Sequence, residues 1–279
     1  NGTFVGVFDG PCDIAQVAPP GFLALEWAIA RLFPGSDLAL RVPSLLFGSA
    51  AIAATWMTAH EISGEGHAWV PAGLVAVATA LIFLSGQVKP YAADAFFTPL
   101  ILACALRHDR VQTPASWRAL VVAGAIAPLF SLGAVFAIAG AWTFLATRRL
   151  VSWKALAGLV VVWGAIAVVS VVMSHRLLSQ EANDLMATYW RPYYPPFPPT
   201  SWSEVKWYST SVLDLLWSMM GFRGVWLFGL GLLAGVAVAR RLRPGASLLL
   251  ALPFIAVTIA AIIRQYPFGQ RLLHWTAPI

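Results

Sequence analysis

Long runs of apolar residues alternate with short polar segments along most of the chain. A helix that crosses a bilayer needs roughly 20 consecutive apolar residues. The pattern therefore predicts an all-α, polytopic integral membrane helix bundle with about eight or nine spans, forming one domain over residues 1–279. The predicted runs are 40–59, 68–85, 91–106, 119–130, 132–147, 155–173, 224–239 and 247–263, and a last run starts near residue 272.

Two regions depart from this pattern. The apolar stretch from Gly21 to Phe33 is short for a full span and carries Glu26 and Arg31, so we expect a short helix at the membrane interface. The segment 174–223 is the single large loop that the pattern leaves, and it is rich in Trp, Tyr and Pro. Its aromatic residues fit either a belt at the lipid headgroups or a lid over a cavity on the outer face.

Two of the apolar runs meet without a polar linker. The runs 119–130 and 132–147 join at the sequence Pro-Leu-Phe-Ser, residues 128–131. Proline removes a backbone donor and disrupts a continuing helix. We therefore predict two helices that meet at a tight turn or break.

Composition excludes a soluble protein. Hydrophobic residues make up 59% of the chain and charged residues only 11%, whereas soluble domains carry about 25% charged residues. The net charge is +6, but the basic residues are few and scattered, so we predict no nucleic-acid partner. Cys12 and Cys104 are not expected to form a disulfide, and no spacing indicates a metal site or another cofactor.

The distribution of Lys and Arg predicts the orientation of the bundle. Positive residues concentrate in the loops 107–118, 148–154 and 240–246, which identifies these loops as cytoplasmic. The loop 60–67 falls on the same face but contains no Lys or Arg. The opposite, outer face receives the N-terminal stretch, the turn 86–90, the segment 174–223 and the turn 264–271.

The richest candidate for chemistry begins at Lys89. Pro90 suits the first position of a helix, which places Lys89 just outside the helix start and Tyr91 and Asp94 on one face of its first turn. A lysine and free backbone N–H groups at a helix N-terminus favour a phosphate, and the carboxylate can act as a base. The alternative is a local ion pair between Lys89 and Asp94.

Two further segments supply candidate binding residues. Arg264, Tyr266 and Arg271 lie in the turn 264–271, and arginine suits phosphate through its paired N–H donors. The alternative is that both arginines reach separately for lipid headgroups. The segment from Gln16 to Phe22 contains a Pro-Pro-Gly sequence that predicts the start of a helix.

Together these segments resemble a known family. The chain is similar to the superfamily C glycosyltransferases of the bacterial dolichyl-phosphate-mannose–protein mannosyltransferase and aminoarabinose-transferase type. The motifs that carry the resemblance are Gln-x-Ala-Pro-Pro-Gly-Phe at 16–22, Arg-Val-Pro-Ser-Leu-Leu-Phe-Gly at 41–48, Lys-Pro-Tyr-Ala-Ala-Asp at 89–94, Tyr-Trp-x-x-x-Tyr-x-Pro-x-x-Pro at 189–199 and Tyr-Pro-Phe-x-x-Arg at 266–271.

The resemblance implies an enzyme that takes its sugar from a polyprenyl-phosphate donor. In such enzymes an acceptor hydroxyl attacks the anomeric carbon and lipid phosphate leaves, on the extracytoplasmic side of what we expect to be the bacterial cytoplasmic membrane. By this likeness Asp94 is a catalytic acidic residue, either the main base or a secondary acid beside the family's upstream acidic residue. The residues expected to bind the donor and its phosphate are Lys89, Tyr91, Arg271, Arg264, Tyr266 and Gln16.

The chain departs from the family pattern in two places. The family's first acidic residue belongs to an Asp-Glu pair well before the Pro-Pro motif, and neither Asp9 nor Asp13 matches it. We therefore expect a fragment that lacks the N-terminal helix and the C-terminal end. Ala18 stands where some members have lysine.

Two other functions remain open at this level. A transporter would use Lys89, Asp94 and Arg271 to line a substrate path, although no internal repeat is visible. A structural membrane subunit would have fully paired outer charges and no cavity. The expected partners are the polyprenyl-phosphate-linked sugar, membrane lipid and an acceptor whose identity the sequence leaves open.

Overall fold

The chain folds into helices, as predicted. The computed structural model describes residues 18–176, 180–220, 235–269, 272–273, 276 and 278, and no strand occurs among them. Predictions for Cys12, Gln16 and Arg271 lie outside these residues. The helices are α1 Pro20–Leu32, α2 Asp37–Ser63, α3 Glu65–Val77, α4 Thr79–Ser85, α5 Tyr91–Val111, α6 Pro114–Phe130, α7 Ala134–Thr147, α8 Trp153–Arg176, α9 Gln180–Trp190, α10 Trp202–Met220, α11 235–242 and α12 Pro244–Ile262.

In the part of the chain that the structure describes, fewer helices are long and apolar enough to cross a membrane than the sequence pattern predicts. Most of the predicted run 224–239 and part of the run that starts near residue 272 lie outside that part. Within the described residues α2, α8 and α12 qualify, and α3 with α4 adds a fourth if the pair is one broken span. The predicted run 68–85 is interrupted at Ala78, where α3 and α4 bend by 62°. The predicted runs that become α6 and α7 form shorter apolar helices.

Helix α5 lies at the centre of the bundle. It packs against α2, α6 and α7, and its contact with α2 is the most extensive. Small buried residues such as Ala92, Ala93 and Ala95 let neighbouring helices approach closely, as is typical of helix packing in membranes. The buried Thr58 hydroxyl of α2 donates to the Pro99 carbonyl oxygen of α5 at 2.8 Å, a cross-helix hydrogen bond that fixes the two helices together.

An ion-pair network joins the loops predicted to be cytoplasmic. Glu61 pairs with Arg110 at 2.8 Å and with Arg243 at 3.8 Å. Asp109 pairs with Arg243 at 2.9 Å and with Arg148 at 3.4 Å. All four loops therefore meet at one end of the bundle, and the loop 60–67 contributes an acidic residue instead of a basic one. The opposite end is called the outer end below.

The segment 174–223 is largely helical rather than an irregular loop. Helix α8 continues to Arg176, and α9 and α10 occupy much of the remainder. The proline-rich stretch between them folds back on α10, where the Trp207 ring Nε1 donates to the Pro192 carbonyl oxygen at 3.0 Å and the Tyr208 hydroxyl donates to the Pro196 carbonyl oxygen. Residues 189–199, which comprise the last two residues of α9 and the stretch that follows, are called the aromatic segment.

The orientation of the bundle is testable by cysteine labelling. In a chain carrying Cys12→Ser, an impermeant maleimide added from outside is expected to label Ser201→Cys and to leave Ala115→Cys unlabelled, because the loop charges orient the network end toward the cytoplasm. Both positions are exposed, and the remaining native thiol, Cys104, is buried. If Ser201→Cys is labelled only after the membrane is permeabilised, the predicted orientation is wrong and the network end faces outward.

Candidate functional site at the outer end

The break between α6 and α7 forms the floor of the candidate site. Helix α6 ends at Phe130 and α7 begins at Ala134, as the sequence predicted. The buried Ser131 hydroxyl oxygen accepts a hydrogen bond from the Ala134 backbone N–H at 2.9 Å. This bond satisfies one of the free N–H groups at the start of α7, which have no partner within their own helix.

Asp94 is directed at this break. Its side chain lies in the first turn of α5 and the residue is 7% exposed. The Gly133 backbone N–H donates to Asp94 Oδ1 at 3.4 Å, and the Ser131 side chain lies close to the carboxylate. The positive end of the α7 dipole favours a negative charge at this position. The carboxylate can therefore cap α7.

The Pro-Pro-Gly sequence packs against the same break. A Cβ atom on Gly21 would lie 2.6 Å from the Leu129 carbonyl oxygen, which is closer than side-chain atoms approach. Only glycine allows the start of α1 to approach the last turn of α6 this closely.

The turn after α12 reaches the other side of the break. The rings of Tyr266 and Phe136 are 4.9 Å apart between centroids in an edge-to-face arrangement, and the Tyr266 hydroxyl donates to the Leu272 carbonyl oxygen at 3.0 Å. Phe136 lies in the first turn of α7. The three segments that the sequence singled out therefore converge on residues 129–136.

The aromatic segment packs on this turn. The Phe268 backbone N–H donates to the Tyr193 carbonyl oxygen at 2.8 Å, and the Trp190 ring fills the space that a Cβ on Gly269 would need. Burial raises the pKa of Tyr194, while the positive charge of Arg264 opposes that rise. Arg264 thus lies close enough to the aromatic segment to act on it electrostatically.

Arg264 lies in the turn that ends α12, and its backbone conformation is set by that turn. Its φ of 58° lies in the left-handed region, and its N–H donates to the Ala261 carbonyl oxygen while that of Gln265 donates to the Ala260 carbonyl oxygen. These bonds form a Schellman motif, which usually has glycine at the left-handed position. Placing arginine there costs about 1–2 kcal/mol.

Lys89 lies one residue before Pro90 at the start of the helix that carries Asp94, but it does not pair with Asp94. Among the ion pairs of the described residues none joins Lys89 to Asp94. The Lys89 Nζ atom is 5.9 Å from the centroid of the Tyr91 ring, and the Lys89 carbonyl oxygen accepts from the Ser44 hydroxyl at 3.1 Å. The observed geometry therefore gives no support to the local ion pair.

Lys89 lines an open groove of about 640 Å³. Asp94, Tyr91, Arg264 and Tyr266 do not line it. The groove therefore gives no support to the expectation that Lys89 and Asp94 share one cavity. Arg271 lies outside the described residues, so its part of that expectation stays a prediction. The lining residues are Arg41, Ile82, Phe83, Gly86, Gln87, Val88 and Lys89.

Two residues at this end gain an importance that sequence reasoning did not give them. Arg41 was part of a quoted motif but had no assigned role, and it shares the groove with Lys89. Glu26 is buried in α1, and neither of its carboxylate oxygens has a hydrogen-bond partner among the described residues. Burial raises the pKa of Glu26 to about 7, which favours its protonated form. The sequence did offer one signal for Glu26, namely an acidic residue inside the apolar stretch 21–33.

Comparisons with protein families, curated proteins and solved structures found no match for this chain. In the part of the chain that is described, no three His, Cys, Asp or Glu side chains converge as a potential metal site. The function is therefore argued from the residues at the outer end.

Proposed function

We propose that this chain is a membrane glycosyltransferase of the superfamily C type, with about eight or nine spans in the bacterial cytoplasmic membrane. It transfers a sugar from a polyprenyl-phosphate donor to an acceptor hydroxyl on the extracytoplasmic face. The observation that carries the proposal is the convergence of three segments on residues 129–136. Each segment bears one of the motifs that resemble the family, and Asp94, the expected catalytic residue, makes its hydrogen bonds there.

The chemistry requires a base and a stabilised leaving group. The acceptor oxygen forms a bond to the anomeric carbon as the bond between that carbon and the phosphate oxygen breaks. The electron pair of the broken bond stays on the phosphate, and the acceptor proton passes to the Asp94 carboxylate. Lys89 binds the phosphate by charge-assisted hydrogen bonds. Because Asp94 does not line the Lys89 groove, the proposal requires the sugar to reach from that groove to the Asp94 carboxylate.

The aromatic segment has a defined part in this proposal. Excluding water strengthens the electrostatic interactions on which transfer depends. The hydrogen bond from Phe268 to Tyr193 and the packing of Trp190 at Gly269 hold the segment on the turn that contacts α7. It is thus positioned to limit access of water to the outer end.

Two observations favour this function over its alternatives. A transport path would have to open the ion-pair network of Glu61, Asp109, Arg110, Arg148 and Arg243 at the opposite end. A structural subunit without chemistry predicts paired outer charges and no cavity. Lys89 has no carboxylate partner among the described residues, and it lines an open groove.

A donor-cleavage assay tests the proposal without knowledge of the sugar. The full chain in proteoliposomes is incubated with a panel of polyprenyl-phosphate-linked sugars and candidate acceptors, and the release of polyprenyl phosphate is measured. We expect release that depends on the acceptor and that equals the sugar transferred. A donor with a non-cleavable phosphonate linkage should bind but release nothing. Solute uptake into the vesicles without donor cleavage would instead support the transporter.

A further inference from the structure

Helix α7 ends in a backbone conformation that its sequence does not favour. The Arg149 N–H donates to the Ala146 carbonyl oxygen at 3.2 Å, and the Leu150 N–H donates to the Leu145 carbonyl oxygen at 3.1 Å. These bonds form a second Schellman motif, with Arg149 at the left-handed position and a φ of 52°. Glycine is usual there because a Cβ atom makes this conformation unfavourable. A positive charge at a helix C-terminus offsets part of the cost, but its contribution is typically the smaller of the two.

The turn that carries Arg149 packs against the start of α12. Arg148 and Arg243 both bind the Asp109 carboxylate, and the Arg148 Nε atom is 3.5 Å from the position that a Cβ on Gly245 would take. Arg149 directly follows Arg148 and is exposed. It therefore lies at the edge of the ion-pair network without belonging to it.

Several cations beside this network have no protein anion to neutralise them. The network uses its two carboxylates, Glu61 and Asp109, for other arginines. The general preference for positive residues at the cytoplasmic end would be met by any position in these loops, so it does not explain an arginine at a strained one. In the loops 148–154 and 240–246, the exposed cations that lack a carboxylate partner among the described residues are Arg149, Lys154, Arg240 and Arg241.

Large apolar side chains are exposed next to these cations in the sequence. Trp153, the first residue of α8, is 72% exposed, and Leu242, the last residue of α11, is 55% exposed. Tryptophan is typical of the depth at which lipid headgroups lie. Cations beside exposed apolar side chains match a lipid with an anionic head and hydrocarbon chains. A soluble acidic partner would leave the apolar side chains uncovered.

We propose that the α7–α8 turn and the end of α11 bind the phosphate of an anionic phospholipid in the cytoplasmic leaflet, with Arg149 as a ligand. The acyl chains then lie beside Trp153 and Leu242. The paired N–H donors of a guanidinium suit a phosphate, and the anionic lipids of that leaflet attract basic segments. Bound lipid thus offsets the backbone strain that arginine introduces. The proposal does not depend on the function proposed for the outer end.

Titration of the full chain in a neutral detergent with phosphatidylglycerol tests the site, with the midpoint of thermal unfolding as the readout. The wild-type midpoint should rise as lipid binds the folded chain, and phosphatidylcholine should raise it less. Arg149→Gly is expected to raise the lipid-free midpoint, because glycine adopts the left-handed conformation freely. The same change should increase the phosphatidylglycerol concentration needed for the half-maximal rise by about 5-fold, the contribution of one basic residue near an anionic surface.

Two further variants sharpen the test. Lys154→Gln should weaken the response to phosphatidylglycerol by a similar factor without raising the lipid-free midpoint. Arg264 occupies the same left-handed position of a Schellman motif at the end of α12. Arg264→Gly is therefore expected to raise the lipid-free midpoint as well, while the phosphatidylglycerol concentration for the half-maximal rise stays at its wild-type value.

Each contrary outcome removes one part of the proposal. An unchanged half-maximal concentration in Arg149→Gly would overturn the site. Equal weakening by Arg264→Gly would reduce the effect to a general attraction between a basic protein and anionic lipid. A rise of the same size with inorganic phosphate at matched concentration would overturn the lipid assignment. A lower lipid-free midpoint in Arg149→Gly would overturn the strain on which the proposal rests.

Discussion

Replacing Asp94 with asparagine is expected to lower the rate of sugar transfer by at least about 100-fold, the lower end of what a general base contributes. Asparagine has nearly the same shape, and its side-chain oxygen can still accept the hydrogen bond from the Gly133 N–H. The break between α6 and α7 should therefore be retained. The rate is measured as the initial release of polyprenyl phosphate, and the fold as the midpoint of thermal unfolding in detergent.

A matched carboxylate provides the control. Asp37 also lies in the first turn of a helix, but it is exposed, so Asp37→Asn should change neither the rate nor the midpoint. Full activity in the Asp94→Asn protein would leave Asp94 as only a cap for α7. A large fall in the midpoint together with the rate would also assign the residue to the fold. Loss of rate at an unchanged midpoint is the result that supports chemistry.

Replacing Arg243 with alanine is expected to destabilise the bundle by about 3–5 kcal/mol, the cost of removing one partner from a buried ion pair. Its side chain is 15% exposed. It donates to the Glu61 and Leu106 carbonyl oxygens at 2.6 Å each and to the Asp109 carboxylate at 2.9 Å. Losing it leaves two main-chain acceptors and part of a buried carboxylate without a partner.

Arg148 offers the comparison for this experiment. It pairs with the same Asp109 carboxylate, but at 3.4 Å and with a side chain that is 48% exposed. Exposed pairs contribute at most about 1 kcal/mol, so Arg148→Ala should lower the unfolding free energy much less than Arg243→Ala. Equal effects of the two substitutions would show that the burial of Arg243 does not determine its contribution.

The positions of most helices follow from the sequence because the apolar pattern is a local property. The predicted run 40–59 lies within α2, and the predicted 155–173 lies within α8. The break after Phe130 was predicted from the adjoining proline and serine. The sequence predicted one large loop at 174–223, because its aromatic and proline content obscured α9 and α10. The prolines lie at 192–199, so they interrupt helix only in the stretch between α9 and α10 and not within either helix.

Tertiary structure decided what the local pattern does not contain. The run 68–85 is apolar throughout, so nothing in it predicts the bend at Ala78. There α4 takes a course of its own and brings Ser85 against Gly48.

The same distinction applies to the candidate site. The sequence singled out Asp94, Lys89 and the turn at Arg264 from residue type and helix position. It did not predict that Asp94 accepts a hydrogen bond at the α6–α7 break, or that Lys89 and Arg41 line a groove that Asp94 does not line. These groups belong to segments far apart in the chain, and only the packing of α2, α5 and α7 determines which of them meet. Charge and apolarity are read residue by residue, whereas a binding site depends on contacts between distant helices.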